Sequence, residues 1–80
     1  MQGISFDAKK VVGQKQAMKA VKDDKATTVY IALDAESRVT SPVLQLCSEK
    51  NLEVVNIETM KELGKIFGIE VGAAVAAVLK

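Results

Sequence analysis

The sequence predicts an α/β protein, a three-layer α/β/α sandwich around a small mixed four-stranded sheet. Short β-branched and apolar runs alternate along the chain with segments whose apolar residues recur at helical spacing. The last apolar run is rich in small residues, as a strand can be when helices cover both of its faces. The length of 80 residues predicts a single domain over residues 1–80 with one modest core.

The first part of the chain predicts a turn, a short strand and a helix. Residues 7–10 are expected to form a helical turn, and Val11 and Val12 a strand that stops at Gly13. Gln14–Lys22 has the spacing of an amphipathic helix, so its apolar side should pack on a sheet and its basic side should face outward. The apolar side consists of Ala17, Met18, Ala20 and Val21, and the polar side of Lys15, Gln16, Lys19 and Lys22.

The middle of the chain predicts a buried strand, a loop and a second helix. Residues 27–33 are β-branched and apolar and form a run short enough for a buried strand. Residues 34–37 are expected to form a polar loop. The helix that follows has an apolar stripe at i, i+4 and i+8, made of Val39, Val43 and Cys47. Pro42 is expected in the first turn of this helix, where its missing N–H is harmless.

The last part of the chain predicts a strand, a helix and a further apolar segment. Residues 52–57 read as a strand, and Thr59 and Glu62 match a capping box that starts a helix near Thr59. Gly68 suits the left-handed residue that ends a helix. The expected inner stripe of this helix is Met60, Leu63, Ile66 and Phe67. Residues 71–79 fit either a helix or a buried strand, and we expect a strand, with room for one helical turn before it.

The composition argues against an enzyme. The chain has no histidine, so Ser/His/Asp and Cys/His arrangements are impossible. Carboxylate pairs such as Asp23 and Asp24 lie in predicted surface loops, where turn chemistry and solubility explain them. Glycines recur at positions 64, 68 and 72 without the Walker pattern, so we attribute them to close packing and loop conformation. No metal or cofactor is expected.

The cysteine content and the apolar runs predict a cytoplasmic protein. Cys47 is the only cysteine, which rules out an intramolecular disulfide and favours a reducing compartment. Its place on an apolar helix stripe predicts a buried, unreactive thiol. The N-terminus has no apolar signal core, and residues 71–79 are far fewer than the roughly 20 that cross a bilayer. We expect a monomer with no membrane partner.

Charge is distributed unevenly along the chain. Residues 1–25 contain six lysines and three aspartates, whereas the remainder contains five basic and seven acidic residues. This asymmetry indicates a basic patch that meets an anion, although a solvated helix face would carry the same charges.

Two stretches predict a binding surface. In residues 12–20 a glycine precedes a helix start, whose unpaired N–H groups and positive dipole end attract phosphate. Lys15, Gln16 and Lys19 project from that end. In residues 63–72 a helix leads into a loop that exposes apolar residues between two glycines, and such a pair can pack on an unstacked nucleobase.

In this order and at this separation, the two stretches resemble the kink-turn RNA-binding ribosomal protein family, the L7Ae family. The resemblance rests on Gly13-Gln14-Lys15-Gln16-Ala17-Met18-Lys19 and on residues 63–74, which are the more specific match. It covers essentially the whole chain and is strongest to the short stand-alone bacterial members. Archaeal and eukaryotic members usually have Asn-Glu where this chain has Lys15-Gln16.

The resemblance implies a non-catalytic protein that recognises and stabilises kink turns. A kink turn is an RNA helix sharply bent at a three-nucleotide bulge that is followed by tandem sheared G·A pairs. By position in the family, Gly13 permits close approach of the RNA, Lys15 and Gln16 reach the guanines, and Lys19 reaches bases or flanking phosphates. Residues 69–71 would form the loop that covers the flipped bulge nucleotide.

The implied RNA-binding residues span three segments of the chain. They are Gly13, Gln14, Lys15, Gln16, Lys19, Glu36, Arg38, Ile69, Glu70 and Val71. The implied partner is a structured RNA with a kink turn, either ribosomal RNA or a riboswitch-like RNA. The alternative is a protein-interaction or ribosome-assembly adaptor that uses the same fold without kink-turn readout.

Overall fold

The computed structural model describes residues 9–80. Along these residues the elements are β1 (Lys10–Val12), α1 (Gln14–Lys22), β2 (Ala26–Ala32), α2 (Ser37–Lys50), β3 (Glu53–Ile57), α3 (Met60–Ile66) and β4 (Val75–Leu79). The predicted order of strands and helices is confirmed. The predicted helical turn over residues 7–10 is wrong at Lys10, which pairs with Val78 in the sheet. Asp7 and Ala8 lie outside the described residues.

The sheet is mixed and has the strand order β1-β4-β2-β3. β4 pairs antiparallel with both β1 and β2, whereas β2 and β3 are parallel. The C-terminal apolar run is therefore a central strand, as predicted. The first three residues of β4, which are Val75, Ala76 and Ala77, are buried because helices cover both faces of the sheet. Residues 69–74 form no helical turn before β4.

The helices form two layers on opposite faces of the sheet, which confirms the α/β/α sandwich. One core cluster joins α1 and α2 to the sheet through Val29 and Ile31 of β2. The other joins α3 to the sheet through Ala32 and the half-buried Tyr30. Successive side chains of β2 therefore point to opposite faces of the sheet and pack against the two helix layers in turn, as the pleat of a strand requires.

α2 begins earlier than predicted. The carbonyl of Glu36 accepts the N–H groups of Val39 (2.9 Å) and Thr40 (3.3 Å), so Ser37 belongs to the helix instead of the preceding loop. Pro42 consequently lies inside the helix, in its second turn, and not in the first turn as predicted. Its ring nitrogen has no N–H to donate to the carbonyl of Arg38.

α3 has well-defined ends. The Thr59 hydroxyl accepts the N–H of Glu62 (3.0 Å), which is the first of the two hydrogen bonds of the predicted capping box. At the other end Gly68 has φ 77°, which confirms the predicted left-handed residue. The N–H of Gly68 bonds to the carbonyl of Lys65 (3.1 Å) and that of Ile69 to Gly64 (2.9 Å), the hydrogen-bond pair of a Schellman motif.

None of the helices within residues 9–80 combines the length and the apolar character needed to cross a lipid bilayer.

Candidate functional site

Four segments meet at one end of the sheet, which we call the α1 end. They are the turn from β1 into α1, the β2–α2 loop, the β3–α3 turn and the α3–β4 loop. Backbone N–H groups join them: Gly13 donates to Val75 (2.8 Å), Ala32 to Ala74 (2.9 Å), Leu33 to Ile57 (2.8 Å) and Ala73 to Met60 (3.1 Å). The three sequence segments predicted to bind RNA therefore lie side by side.

Gly13 sets the entry into α1. Its φ of 109° lies in a region that side chains rarely adopt, so glycine is required by the backbone conformation. A Cβ at this position would meet no atom within 4 Å, which leaves the start of the helix open to an approaching molecule. No side chain caps this end, and the first turn contains no acidic residue. The first N–H groups of α1 are thus available to an anion.

The predicted polar side of α1 is confirmed as the exposed one. Lys15, Gln16 and Lys19 are exposed, whereas Ala17 and Val21 are completely buried. The side chains that could reach an RNA groove therefore point away from the core.

Gln14 is placed differently from the other polar residues of α1. It is half-buried, and its side-chain amide donates a hydrogen bond to the carbonyl of Val39 in α2 (2.8 Å). This bond ties the start of α1 to the first turn of α2. Gln14 therefore has a positioning role between the helices, whatever further contact it makes.

The β2–α2 loop brings charged groups to the same end. Glu36 and Arg38 form an exposed ion pair with Nε to Oε2 at 3.3 Å. Such an exposed pair is weak, so either partner can exchange it for a contact with another molecule. Asp34 accepts the N–H of Met60 at the start of α3 (2.8 Å), and this bond fixes the loop against α3.

The α3–β4 loop does not present its two apolar side chains equally. Val71 is 71% exposed, whereas Ile69 is half-buried and packs against the core cluster beneath α3. Glu70 between them is exposed. The loop therefore offers Val71 to a partner, and Ile69 serves mainly to anchor the loop.

Two glycines let this loop lie directly on α3. A Cβ at Gly64 would overlap the carbonyl oxygen of Val71. A Cβ at Gly72 would lie 3.1 Å from the Cβ of Met60, closer than side chains ordinarily pack. Close packing at these two positions, and positive φ at Gly68, explain the glycine spacing as predicted.

Sequence reasoning missed two exposed apolar residues at the α1 end. Leu33 is 60% exposed although it was assigned to a buried strand, because β2 ends at Ala32. Met60 is 37% exposed although it was assigned to the inner stripe of α3, because it is the first residue of that helix. The one signal in the sequence was that each lies beside a polar turn. Leu33, Met60 and Val71 are all exposed at the α1 end, and we refer to these three apolar side chains together as the Leu33–Met60–Val71 patch.

The groups presented at the α1 end are ones that can bind a ligand. This end offers ammonium groups, helix N–H groups, a neutral amide and an apolar patch. In the described part of the chain, His, Cys, Asp and Glu side chains form no group of three or more that could hold a metal ion. Cys47 lies in the core cluster that joins α1 and α2 to the sheet, where burial raises the pKa of its thiol.

Comparisons with known proteins identify a family and several relatives. The pattern of the ribosomal protein L7Ae/L30e/S12e/Gadd45 family matches residues 6–80. A protein of Caldanaerobacter subterraneus named as an RNA-binding protein is 54% identical over 69 residues, which are 86% of this chain and 84% of that protein. RNA-binding protein YbxF of Geobacillus stearothermophilus is 40% identical over 70 residues, covering 88% of this chain and 85% of that one.

Solved structures share the fold. The Giardia lamblia 15.5kD RNA binding protein superimposes with a TM-score of 0.83 at 29% identity, over 89% of this chain and 60% of that protein. A Bacillus halodurans protein of unknown function superimposes with a TM-score of 0.80 at 24% identity, over 89% of this chain and 71% of that one.

Proposed function

Because this chain belongs to the ribosomal protein L7Ae/L30e/S12e/Gadd45 family, we propose that it is a non-catalytic RNA-binding protein that recognises and stabilises kink turns. The resemblance found in its sequence motifs is confirmed at the level of the family. Bacterial relatives of nearly the same length are named as RNA-binding proteins, which supports RNA as the partner of this chain.

The observation that carries the proposal is the meeting of two unlike surfaces at the α1 end. The exposed polar side of α1 and the Leu33–Met60–Val71 patch come from distant parts of the sequence and border the same edge of the sheet. A kink turn offers a partner for each, since it combines guanine edges and phosphates with an unstacked bulge nucleotide.

On the polar surface, α1 would enter the groove that the bend opens. Lys15 can donate to the O6 and N7 acceptors of a guanine, and the Gln16 amide can both donate and accept at a base edge. Lys19, one turn further along the helix, reaches bases or flanking phosphates. The uncapped N–H groups after Gly13 attract phosphate through the helix dipole.

On the apolar surface, Val71 would pack against the extruded nucleotide. Met60 lies directly under the loop that carries Val71, since Ala73 donates to its carbonyl (3.1 Å). Leu33 is held nearby because its neighbour Asp34 binds the N–H of Met60 (2.8 Å). Apolar contact with a splayed base is sequence-tolerant, so this surface reads the shape of the bulge.

We further propose that the protein acts in the cytoplasm as a monomer on ribosomal RNA or a riboswitch-like RNA. Its single cysteine is buried and forms no disulfide, which suits a reducing compartment.

The test compares two RNA hairpins that differ only in the tandem G·A pairs of the kink turn. We expect the protein to bind the intact hairpin and to bind the hairpin with replaced pairs no better than an unrelated stem. Fluorescence titration measures both affinities, and a bend-sensitive energy-transfer pair on the RNA reports stabilisation of the kink. Equal affinity for both hairpins would contradict the proposal.

The adaptor alternative draws on the Leu33–Met60–Val71 patch, because exposed apolar side chains also mark protein contacts. The same titration separates the two functions. An adaptor without kink-turn readout would bind neither hairpin specifically.

A further inference from the structure

A second basic surface runs along the flank of α1, away from the α1 end. One concavity lies between α1 and the sheet and is lined by Gln16, Lys19, Lys25 and Leu79, among others. A second concavity is lined by Lys9, Lys25 and Leu79, among others. The two concavities adjoin at Lys25 and Leu79, which line both, and we refer to them together as the α1-flank groove.

Backbone hydrogen bonds fix the far part of this groove. Leu79 of β4 donates its N–H to the carbonyl of Lys9 (2.8 Å), so the residue before β1 and the end of β4 lie together. The N–H of Lys80 bonds to the carbonyl of Lys25 (2.8 Å), which adds the residue before β2. Lys9 and Lys25 therefore lie at the end of the sheet opposite the α1 end.

The charge of the groove is positive. Lys9, Lys19 and Lys25 line it, against the carboxylates of Asp23 and Asp24. Asp24 already binds the ammonium of Lys50, with Nζ and Oδ1 2.8 Å apart. Within the described residues the groove lysines form no ion pair with a carboxylate, since the salt bridges there are Lys50–Asp24 and Arg38–Glu36.

We propose that the α1-flank groove binds the phosphate backbone of the RNA stem that continues from the kink turn, an inference that rests on the proposed function. Gln16 and Lys19 belong to both surfaces, so an RNA seated at the α1 end passes directly into the groove. α1 is about 13 Å long, and a duplex that follows it presents a row of phosphates to Lys25 and Lys9. Such contacts add affinity without sequence preference and make binding salt-dependent.

The experiment combines two RNAs with two protein variants. One kink-turn hairpin has a stem cut back to the minimum that keeps the kink, and the other has a stem about one helical turn longer. The groove variant Lys9→Gln/Lys25→Gln is compared with Lys61→Gln/Lys65→Gln, which removes two exposed lysines of α3 on the opposite face of the sheet. Thermal melts check that both variants fold.

We expect the groove variant to lose affinity for the long-stem RNA only. For that RNA, the salt slope, which is the slope of log affinity against log salt concentration, should fall in magnitude by about 1.8 if two phosphate contacts are lost. Between 50 and 200 mM salt the parent should then lose about tenfold more affinity than the variant. The α3 variant should match the parent on both RNAs.

Three results would overturn the inference. The groove variant could bind the long-stem RNA as tightly as the parent does. Kink-turn recognition would then stand, and only the proposed role of the groove would be wrong. Equal losses on both RNAs, or equal losses in the α3 variant, would reveal an effect not specific to the stem. The parent protein could also bind both kink-turn hairpins no more tightly than a hairpin with replaced G·A pairs. That result would contradict the proposed function, and the inference about the groove would fall with it.

Discussion

Lys15 and Lys19 are exposed by the same helical period that buries Ala17 and Val21. Because their side chains leave the core, their charges can be removed without disturbing packing. This separation between a buried and an exposed side makes α1 the part of the molecule where binding and stability can be measured independently.

Lys15→Ala and Lys19→Ala are each expected to weaken kink-turn binding without unfolding the protein. If the lysine hydrogen-bonds to a guanine edge, its replacement should weaken the binding free energy by about 1 to 3 kcal/mol. A lysine that meets a phosphate should cost less and lower the salt slope by about 0.9. Titrations at several salt concentrations assign the role of each. Lys65→Ala, on α3, is the control, and folded variants with parental affinity would count against the assignment.

Val71→Ser and Ile69→Ser should separate binding from packing in the α3–β4 loop. Val71 is 71% exposed, so its replacement should lower affinity for the kinked RNA while the melting temperature and the salt slope stay nearly unchanged. Ile69 packs on the core, so its replacement should lower the melting temperature. If Val71→Ser binds as tightly as the parent, the loop has only a packing role.

Cys47 should react slowly with a thiol-reactive dye in the native protein. The residue is 1% exposed, and burial raises the pKa of its thiol, so both access and the thiolate fraction are low. Labelling should become fast in denaturant. Cys47→Ala should cost about 0.5 to 3 kcal/mol of stability, and Cys47→Asp more, since a buried carboxylate would have no partner. Fast labelling of folded protein would mean that α2 is misplaced.

At the scale of elements, α3 depends on groups outside itself. It has seven residues, too few for a helix to be stable alone. Thr59 caps its start, Asp34 of a distant loop binds the N–H of Met60, and the Schellman hydrogen bonds close its end. These contacts position both Met60 and the loop that carries Val71.

Asp34→Ala and Thr59→Ala should each destabilise the fold by about 1 kcal/mol, the usual cost of losing a helix cap. In a protein of this size that corresponds to a fall of about 4 to 8 °C in melting temperature. Glu49→Ala is the control, because Glu49 is an exposed carboxylate inside α2 and not at a helix cap. A melt of Asp34→Ala that matches the parent would show that the bond to Met60 contributes nothing.

At the scale of the whole molecule, the candidate site exists only in the folded state. Its segments are brought together by the sheet order β1-β4-β2-β3, and unfolding separates them. Ligand binding must therefore be linked to global stability.

Kink-turn RNA should raise the free energy of unfolding. At an RNA concentration about a hundred times the dissociation constant, the gain is about 2.7 kcal/mol if the unfolded chain does not bind. Denaturant melts followed by circular dichroism measure it. The hairpin with replaced G·A pairs should leave the melt unchanged, and an equal shift with both RNAs would indicate charge attraction alone.

Most of the elements and much of the candidate site could be predicted from the amino-acid sequence alone. The period of α1, the cap at Thr59 and the left-handed Gly68 were all predicted, because each follows from local backbone geometry. The small residues of β4 fitted either a helix or a strand buried on both faces, and the strand that we expected is the one observed. The motifs around Lys15 and in residues 63–74 were enough to indicate the family.

The exposure and the contacts of residues at the ends of those elements could not be predicted without the three-dimensional fold. The exposure of Leu33 and Met60, the burial of Ile69 against the exposure of Val71, and the place of Pro42 inside α2 all differ from the local pattern. The hydrogen bonds from Gln14 to α2 and from Met60 to Asp34 join residues distant in sequence. The periodicity of the sequence determines which side of an element is apolar. Whether a side chain at the end of an element is buried depends on which neighbouring segments lie against it. The position of those segments depends on the topology of the sheet.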